Sequence, residues 1–296
     1  MPDAPPDITI DLVRTLITDQ FPQWAHLPIR PVTHSGWDNR TFHLGELMTV
    51  RLPSAEGYAG QVAKEQRWLP ILAPRLPIPI PTPLGLGAPT EAFPWPWSIY
   101  GWIDGETVLQ APPADLVPFA KDLAAFLSAL QRIDATGGPA PGPHNFWRGG
   151  PLAVYADEAH RAIATLAAEI DAQRAGAIVS RALKTAWTDP PVWFHGDIAV
   201  GNLLVEGSHL RAVIDFGTSG VGDPACDLAI AWNLFQGESR QAFRDALPLD
   251  AATWERGAGW ALWKAAIVVA NVAGSPPPER VRQRRVIAEI LADPLI

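Results

Sequence analysis

One stretch, residues 193–229, constrains the fold more than any other part of the chain. Near its start, four residues separate Asp197 from Asn202. Two short apolar segments within residues 203–214 flank a Glu-Gly-Ser turn and predict a β-hairpin, and Asp215 follows its second strand directly. Because a hairpin returns the chain to the end where it began, the spacing predicts that the two aspartates and the asparagine converge on one small volume.

The residue types at these positions suit phosphoryl transfer. A carboxylate and an amide oxygen are hard ligands of the kind Mg²⁺ accepts, with waters and nucleotide phosphates completing its shell. Asn202 and Asp215 are therefore the predicted Mg²⁺ ligands. Asp197 is left free to align an acceptor hydroxyl and take its proton, and it is the predicted catalytic base.

The order of the motifs carries a family resemblance. His-Gly-Asp-x4-Asn is followed by Asp215-Phe-Gly and then by Gly-Asp-Pro-x-x-Asp, which ends at Asp227. A single tripeptide such as His-Gly-Asp or Asp-Phe-Gly occurs often by chance. The four pieces together, which are His-Gly-Asp, the asparagine, Asp-Phe-Gly and Gly-Asp-Pro-x-x-Asp, resemble in this order the aminoglycoside phosphotransferase family, a small-molecule branch of the protein-kinase-like fold. The resemblance implies that Asp227 accepts backbone N–H bonds from the catalytic loop and that His195 braces that loop.

The same resemblance implies the fold class, which is α+β with two lobes. Residues 1–103 are expected to form a β-rich, nucleotide-binding N-terminal lobe that ends in the interlobe hinge. Residues 104–296 are expected to form a mainly helical C-terminal lobe with the catalytic hairpin and the acceptor site.

Arg51 stands on the third predicted strand, where the family places a phosphate-binding Lys. Its expected partner is Glu65, which falls on one face of a predicted helix with Val62 and Leu69. The alternative is that Glu65 faces solvent and pairs with nothing. Lys64 is the rival phosphate ligand, although a helix turns it about 100° away from Glu65.

Two further segments resemble nucleotide-binding parts of the family. Ser35 and Gly36 lie in a loop between predicted strands that resembles the loop covering the phosphates, and the alternative is an ordinary polar hairpin loop. Tyr100 and Trp102 lie at the expected hinge, where backbone groups meet the purine. ATP is the expected donor and GTP the alternative.

Composition excludes several classes of partner. The 296 residues carry 23 Lys and Arg against 31 Asp and Glu, a formal net charge of −8. This balance argues against nucleic acid and anionic membranes, and it is compatible with a cationic acceptor as well as with ordinary solubility. The longest apolar run, residues 258–273, contains Lys264 and Asn271 and predicts a buried helix rather than a membrane span.

The single cysteine, Cys226, excludes an intrachain disulfide and is expected to be buried. The N-terminal residues show no signal peptide, so the expected location is the cytoplasm, where ATP and Mg²⁺ are available. The composition predicts no particular oligomeric state.

Periodicity predicts helices over 8–20, 116–133, 155–187 with a break near Gly176, 227–235, 240–246, 253–272 and 279–291. The proline-rich segment 70–97 is expected to be extended, because so many prolines cannot form one helix.

The resemblance implies a small-molecule kinase that transfers the γ-phosphoryl group of ATP to a hydroxyl of an aminoglycoside-like antibiotic or a related small molecule. The alternatives are a macrolide or metabolic kinase of the same fold, and a nucleotide-binding protein without catalysis. The residues that could line an acceptor site in the C-terminal lobe are Asp157, Glu158, Trp232, Glu238, Trp254, Glu255 and Trp263.

Overall fold

The computed structural model describes residues 7–33, 36, 38–272 and 274–296, so Ser35 lies outside the described residues. The described chain divides into two compact units. Unit 1 comprises the residues up to Gly105 together with Ala212–Gly217, and unit 2 comprises Glu106–Arg211 and Thr218–Ile296. The division assigns the segment that contains Asp215 to unit 1.

Unit 1 is built on a five-stranded antiparallel sheet in the order β1-β2-β3-β5-β4. The strands are β1 (Ile29–Pro31), β2 (Asn39–Leu44), β3 (Met48–Pro53), β4 (Pro83–Gly87) and β5 (Trp97–Gly101). Two helices accompany it, α1 (Ile10–Gln20) and α2 (Glu56–Leu72). The side chain of Thr9 accepts the N–H of Leu12 and caps α1.

The core of unit 1 lies on one face of this sheet. Alternating side chains of β3 and β5, including Val50 and Ile99, are buried together with Val13 and Leu16 of α1. Register places Val50 opposite Ile99 and Arg51 opposite Ser98. Because successive side chains on a strand face opposite sides of a sheet, Arg51 points away from this core.

Unit 2 is mainly helical. Its helices are α3 (Leu116–Gln131), α4 (Ala156–Thr165), α5 (Ala172–Lys184), α6 (Ile230–Asn233), α7 (Gly237–Ala246), α8 (Ala251–Val269) and α9 (Pro277–Ala292). The central helix is α8, which packs against α4, α5 and α9. Among the described residues, no helix combines the length and the apolarity that crossing a membrane requires.

Two small sheets frame the catalytic segment. Strand β7 (Val192–Phe194) pairs antiparallel with β10 (Gly220–Gly222). Strands β6 (Glu106–Thr107), β8 (Leu203–Glu206) and β9 (His209–Val213) form the second sheet, in the order β6-β8-β9. The loop of residues 195–202 therefore begins at the end of one sheet and ends at the start of the other.

The short 3₁₀ segments are Pro22–Trp24, Ala73–Arg75, Pro143–Asn145, Leu152–Tyr155, Phe216–Thr218 and Pro224–Ala229.

The predicted α+β class, with strands in the N-terminal part and helices in the C-terminal part, is confirmed. Two details differ from the predictions. Helix α2 continues through Pro70, because the buried Trp68, Leu69 and Leu72 hold its last turn despite the backbone hydrogen bond that a proline removes. The break within residues 155–187 lies before Asp171, whose carboxylate caps α5, and Gly176 is inside that helix.

A buried ion pair ties the Gly-Asp-Pro motif to α8. Arg256 Nε lies 2.7 Å from Asp223 Oδ2, and the two side chains are 5% and 7% exposed. Removing one partner of such a pair leaves an uncompensated buried charge, which costs much more than losing an exposed pair. The pair Arg284–Glu169, at 43% and 49% exposure, is the matched exposed case.

We expect Arg256→Met to lower the free energy of unfolding by about 3–5 kcal/mol, and Arg284→Met to lower it by less than about 1 kcal/mol. Equilibrium urea unfolding of both variants measures the difference. Equal losses in the two variants would show that the buried pair has no special structural role.

Candidate active site

The catalytic loop of unit 2 is held by one buried carboxylate. Asp227 Oδ2 accepts the backbone N–H of His195 at 2.8 Å, and Oδ1 accepts that of Gly196 at 2.7 Å. Burial raises the pKa of Asp227, while His195 and these two N–H groups oppose the shift. The structural role that the family resemblance implied for Asp227 is present in these contacts.

His195 braces the same loop from inside. Its ring is buried, and Nδ1 accepts the backbone N–H of Asp197 at 3.2 Å. Its carbonyl accepts the hydroxyl of Thr218 at 3.2 Å. These bonds fix the backbone on both sides of Gly196, just ahead of the predicted base.

Gly196 has a physical reason to be glycine. Its φ is +87°, a left-handed conformation that side chains with a Cβ rarely adopt. A Cβ built there would lie 2.7 Å from the carbonyl oxygen of Thr218. Protein kinases carry His-Arg-Asp where this chain has His-Gly-Asp, and an Arg in place of Gly196 would have no room in this loop.

Asp197 and Asn202 lie together in unit 2. Asn202 Nδ2 donates to the Asp197 backbone carbonyl at 3.0 Å and to Asp197 Oδ2 at 2.9 Å. The two hydrogens of the amide are thereby used, which leaves Oδ1 as its acceptor. That oxygen is the hard donor that a Mg²⁺ site requires, so the donor chemistry of Asn202 fits the expected metal.

Arg148 is a neighbour of the loop that the sequence did not reveal. Its Nε donates to the Gly196 carbonyl at 3.0 Å. Its guanidinium lies 5.2 Å from the ring centroid of Trp260 and 5.3 Å from that of Trp263. Nothing in the local sequence around Arg148 signals this contact, because it depends on how residues 146–150 pack against the loop and α8.

Unit 1 brings four predicted site residues together. Arg51 Nη2 lies 2.9 Å from Asp215 Oδ1, and Nη1 lies 3.7 Å from Glu65 Oε1. The hydroxyl of Tyr100 donates to Glu65 Oε2 at 2.6 Å. Burial alone would lower the pKa of Arg51, but the charges of Glu65 and Asp215 outweigh it and raise the pKa. Arg51 is therefore held, fully charged, between two carboxylates.

Lys64 belongs to the same charged cluster as Arg51, Glu65 and Asp215. It is buried on α2 like its neighbour Glu65. Burial lowers the pKa of Lys64 to about 8, although the charges of Glu65 and Asp215 act in the opposite direction. Consecutive residues of a helix point about 100° apart, so Lys64 and Glu65 lie on different faces of α2. Both side chains are nevertheless buried.

Asp215 has a strained backbone, with φ at +67°. Non-glycine residues in this region of the Ramachandran map concentrate at functional sites. The following Gly217 packs on the buried side chain of Gln61, whose Oε1 would lie 2.5 Å from a Cβ at that glycine. The Asp-Phe-Gly segment is therefore fixed to α2 within unit 1.

Asp197 and Asn202 belong to unit 2 and Asp215 to unit 1. Their convergence stays a prediction from the sequence. Among the described residues, no group of three or more His, Cys, Asp or Glu side chains forms a metal site. The predicted Mg²⁺ ligands are one carboxylate and one amide oxygen, which are too few to form such a group.

The remaining predicted nucleotide-binding residues make other contacts. The Gly36 carbonyl accepts Arg40 Nη1 at 3.4 Å. The backbone N–H of Trp102 donates to Leu47 O at 2.8 Å, and that of Gly101 donates to Thr82 O at 2.9 Å. Tyr100 contributes a buried hydroxyl to the charged cluster, a contact that the sequence did not predict.

Most candidates for the acceptor lining have other roles. Trp232, Trp254 and Trp263 are buried, at 2%, 2% and 4% exposure. Glu255 lies 3.4 Å from Arg181. Glu158 accepts the indole N–H of Trp263 at 2.7 Å.

Residues 29–260 match the model of a family described as the phosphotransferase enzyme family. The match spans most of the chain, and the chain belongs to this family. Membership confirms the predicted family and the prediction that the protein is a phosphotransferase. No curated protein matches the chain in sequence.

Solved structures of similar fold cover nearly the whole chain. The GDP complex of wild-type aminoglycoside 2'-phosphotransferase-IIIa has a TM-score of 0.75 at 16% identity, covering 96% of this chain and 99% of that one. The streptomycin-ATP-APH(2")-IIa ternary complex has a TM-score of 0.61 at 18% identity and covers 98% of both chains.

Macrolide 2'-phosphotransferase MphH from Brachybacterium faecium has a TM-score of 0.58 at 21% identity, covering 96% of this chain and 99% of that one. These likenesses establish the fold, and the predicted protein-kinase-like fold is confirmed.

The two N–H bonds to Asp227 generate a test. In Asp227→Asn the amide oxygen can still accept one N–H, but the NH₂ group faces the other donor and leaves it unsatisfied. We expect the free energy of unfolding to fall by about 1–3 kcal/mol.

Urea unfolding measures this loss, and Asp189→Asn, which changes an exposed Asp of the same unit, is the control. An unchanged stability in Asp227→Asn would contradict the role assigned to this carboxylate.

Proposed function

We propose that the protein transfers the γ-phosphoryl group of a nucleoside triphosphate, with ATP as the expected donor, to a hydroxyl group of a small molecule. The observation that carries this proposal is the catalytic loop, in which Asp227 fixes the backbone and Asn202 binds the side chain of Asp197. Membership of the phosphotransferase enzyme family supports the same reaction class. The proposed location is the cytoplasm.

Residues of unit 1 are assigned to the nucleotide. Arg51, fixed by Glu65 and Asp215, has a charged guanidinium whose remaining N–H groups can donate to phosphate oxygens. The contact between Tyr100 and Glu65 keeps that carboxylate in place. Since the N–H of Trp102 is already used, a contact of this residue with the purine would involve its carbonyl oxygen.

Ser35 and Gly36 keep their proposed place over the phosphates, as a prediction from the sequence. GTP remains the alternative donor, because the similar structures include one with GDP and one with ATP.

Asn202 and Asp215 would hold Mg²⁺, which would offset the negative charge of the phosphates. Asp197 would align the acceptor hydroxyl and accept its proton, which then passes to solvent. The acceptor oxygen forms a bond to the γ-phosphorus while the bond from that phosphorus to the bridging oxygen breaks, and the nucleoside diphosphate leaves with the bonding electrons. Positioning and charge supply the catalysis in such a loose transfer.

The acceptor class proposed from the family is an aminoglycoside-like antibiotic or a related small molecule. One structure of similar fold is a ternary complex with streptomycin and ATP, and another is a macrolide 2'-phosphotransferase. A macrolide or a metabolic alcohol is therefore the alternative within the same chemistry. A nucleotide-binding protein without catalysis is the alternative outside it.

Asp197→Asn preserves the shape of the side chain and removes the base. We expect the acceptor-dependent rate to fall by about 10²- to 10⁴-fold, the usual contribution of a general base. Transfer of labelled γ-phosphate from Mg-ATP in the presence of the acceptor measures it.

The control for this variant is Asp189→Asn, which should keep the full rate. Full activity of Asp197→Asn would remove this residue from the role of base. Nucleotide binding without transfer to any acceptor would favour the non-catalytic alternative.

A further inference from the structure

Lys264 is a positively charged residue of unit 2 to which the proposed function assigns no role. It lies on α8, and its side chain is exposed while residues 256–263 and 265–266 around it are buried. Within the described parts of the chain, no carboxylate forms an ion pair with Lys264 and no acceptor hydrogen-bonds to it. The side chain of Lys264 therefore meets solvent within a stretch of α8 whose neighbouring residues are buried.

Lys264 follows Trp263 on α8, and the ring of Trp263 lies 5.3 Å from the Arg148 guanidinium, whose Nε donates to the Gly196 carbonyl of the catalytic loop. The surrounding protein desolvates the ammonium group and lowers the pKa of Lys264. Arg148 lowers this pKa further, and Asp197 raises it. The contact of Arg148 with Trp263 and the effect of the Asp197 charge on Lys264 together indicate that Lys264 lies near the proposed base.

The acidic groups nearby already have partners. Glu279 accepts Gln283 Nε2 at 2.8 Å and is paired with Arg282. Glu158 accepts the Trp263 indole. These carboxylates act on Lys264 only from beyond ion-pair distance. The ammonium group thus keeps its donors for a molecule that enters from solvent.

Arg148 adds to the positive potential on this side of the loop. Its Nη1 is buried and has no hydrogen-bond partner among the described residues. A buried charged donor without an acceptor is costly, and a nearby anion reduces that cost. A polycationic acceptor would instead bring its own positive charges towards both Lys264 and Arg148.

We propose that the acceptor carries a carboxylate or phosphate group, which binds to Lys264 while the acceptor's hydroxyl group binds to Asp197. The inference rests on the proposed phosphoryl transfer, and it favours an anionic metabolic alcohol over the polycationic aminoglycoside-like antibiotic as the acceptor. An acceptor of this class differs from the streptomycin named for one structure of similar fold.

A screen of acceptors separated by charge tests the proposed anionic class before the compound itself is identified. A protein-free small-molecule extract of cells, supplemented with aminoglycosides and macrolides, is separated at pH 7 into fractions retained by an anion exchanger, retained by a cation exchanger, and unretained. Each fraction is incubated with the protein and Mg-ATP labelled on the γ-phosphate, with Asp197→Asn as the blank. We expect acceptor activity in the fraction retained by the anion exchanger.

Acceptor activity confined to the cation-exchanger or unretained fractions would overturn the anionic acceptor and leave the phosphotransferase function intact. The absence of transfer to every fraction would instead count against the proposed function, so the two failures are distinguishable. Hydroxycarboxylates and phosphate esters within the active fraction are then separated to identify which anion is bound.

Variants of Lys264 test the residue. With the active anionic fraction or compound, Lys264→Gln should raise the acceptor KM roughly 10- to 100-fold, the effect of losing one charge-assisted hydrogen bond, and should leave the KM for ATP within about twofold. Lys264→Arg keeps the charge and should recover most of the affinity. Lys184→Gln, which changes an exposed lysine on α5, is the matched control.

An unchanged acceptor KM in Lys264→Gln would overturn the assignment. So would a fall in kcat with the acceptor KM unchanged, because Lys264 would then act on the transferred phosphoryl group rather than on the acceptor.

Discussion

A single buried carboxylate organises the catalytic loop. Asp227 accepts two consecutive backbone N–H groups, those of His195 and Gly196, and so fixes the direction in which the chain approaches Asp197. An N–H group buried without an acceptor costs free energy, so the loop has few alternative conformations while Asp227 is ionised. The left-handed Gly196 and the bond from Asn202 to Asp197 lie in the loop that this carboxylate anchors.

The charged cluster of unit 1 is stabilised by a balance of opposite charges. Arg51 lies between Glu65 and Asp215, and Lys64 is buried in the same region, so two cations balance two carboxylates. Such a balance lets ionised groups remain in a partly buried site where an isolated charge would not. Tyr100 completes it by donating to the carboxylate of Glu65. Arg51 in place of a lysine suits this arrangement, because one guanidinium can contact two carboxylates at once.

The parts of the site that the sequence predicted are those encoded by local spacing. Asn202 follows Asp197 within one loop, and Asp215 follows a hairpin whose strands and turn are readable from a few residues. The pairing of Arg51 with Glu65 could be expected because an inward-facing glutamate requires a cation. The helix ends were less predictable, since buried neighbours of Pro70 outweigh its effect on the backbone.

The residues that the sequence did not reveal are those placed by packing between distant segments. Arg148 reaches the Gly196 carbonyl from a loop far back in the chain, and no spacing rule links the two. Lys264 lies in an apolar run that predicts burial, and only the structure shows that its side chain is exposed. The proposed class of acceptor depends on both cations, so it could not be predicted from the sequence.

The central claim is that Asp215 serves the metal and nucleotide while Asp197 serves the acceptor. Calorimetric titration of Mg-ATP into Asp215→Asn and Asp197→Asn, each with and without excess Mg²⁺, tests this division most directly. The account predicts that Asp215→Asn loses the Mg²⁺-dependent part of the nucleotide affinity, whereas Asp197→Asn binds Mg-ATP as tightly as the unchanged protein. Equal losses of affinity in the two variants, or none in Asp215→Asn, would contradict it.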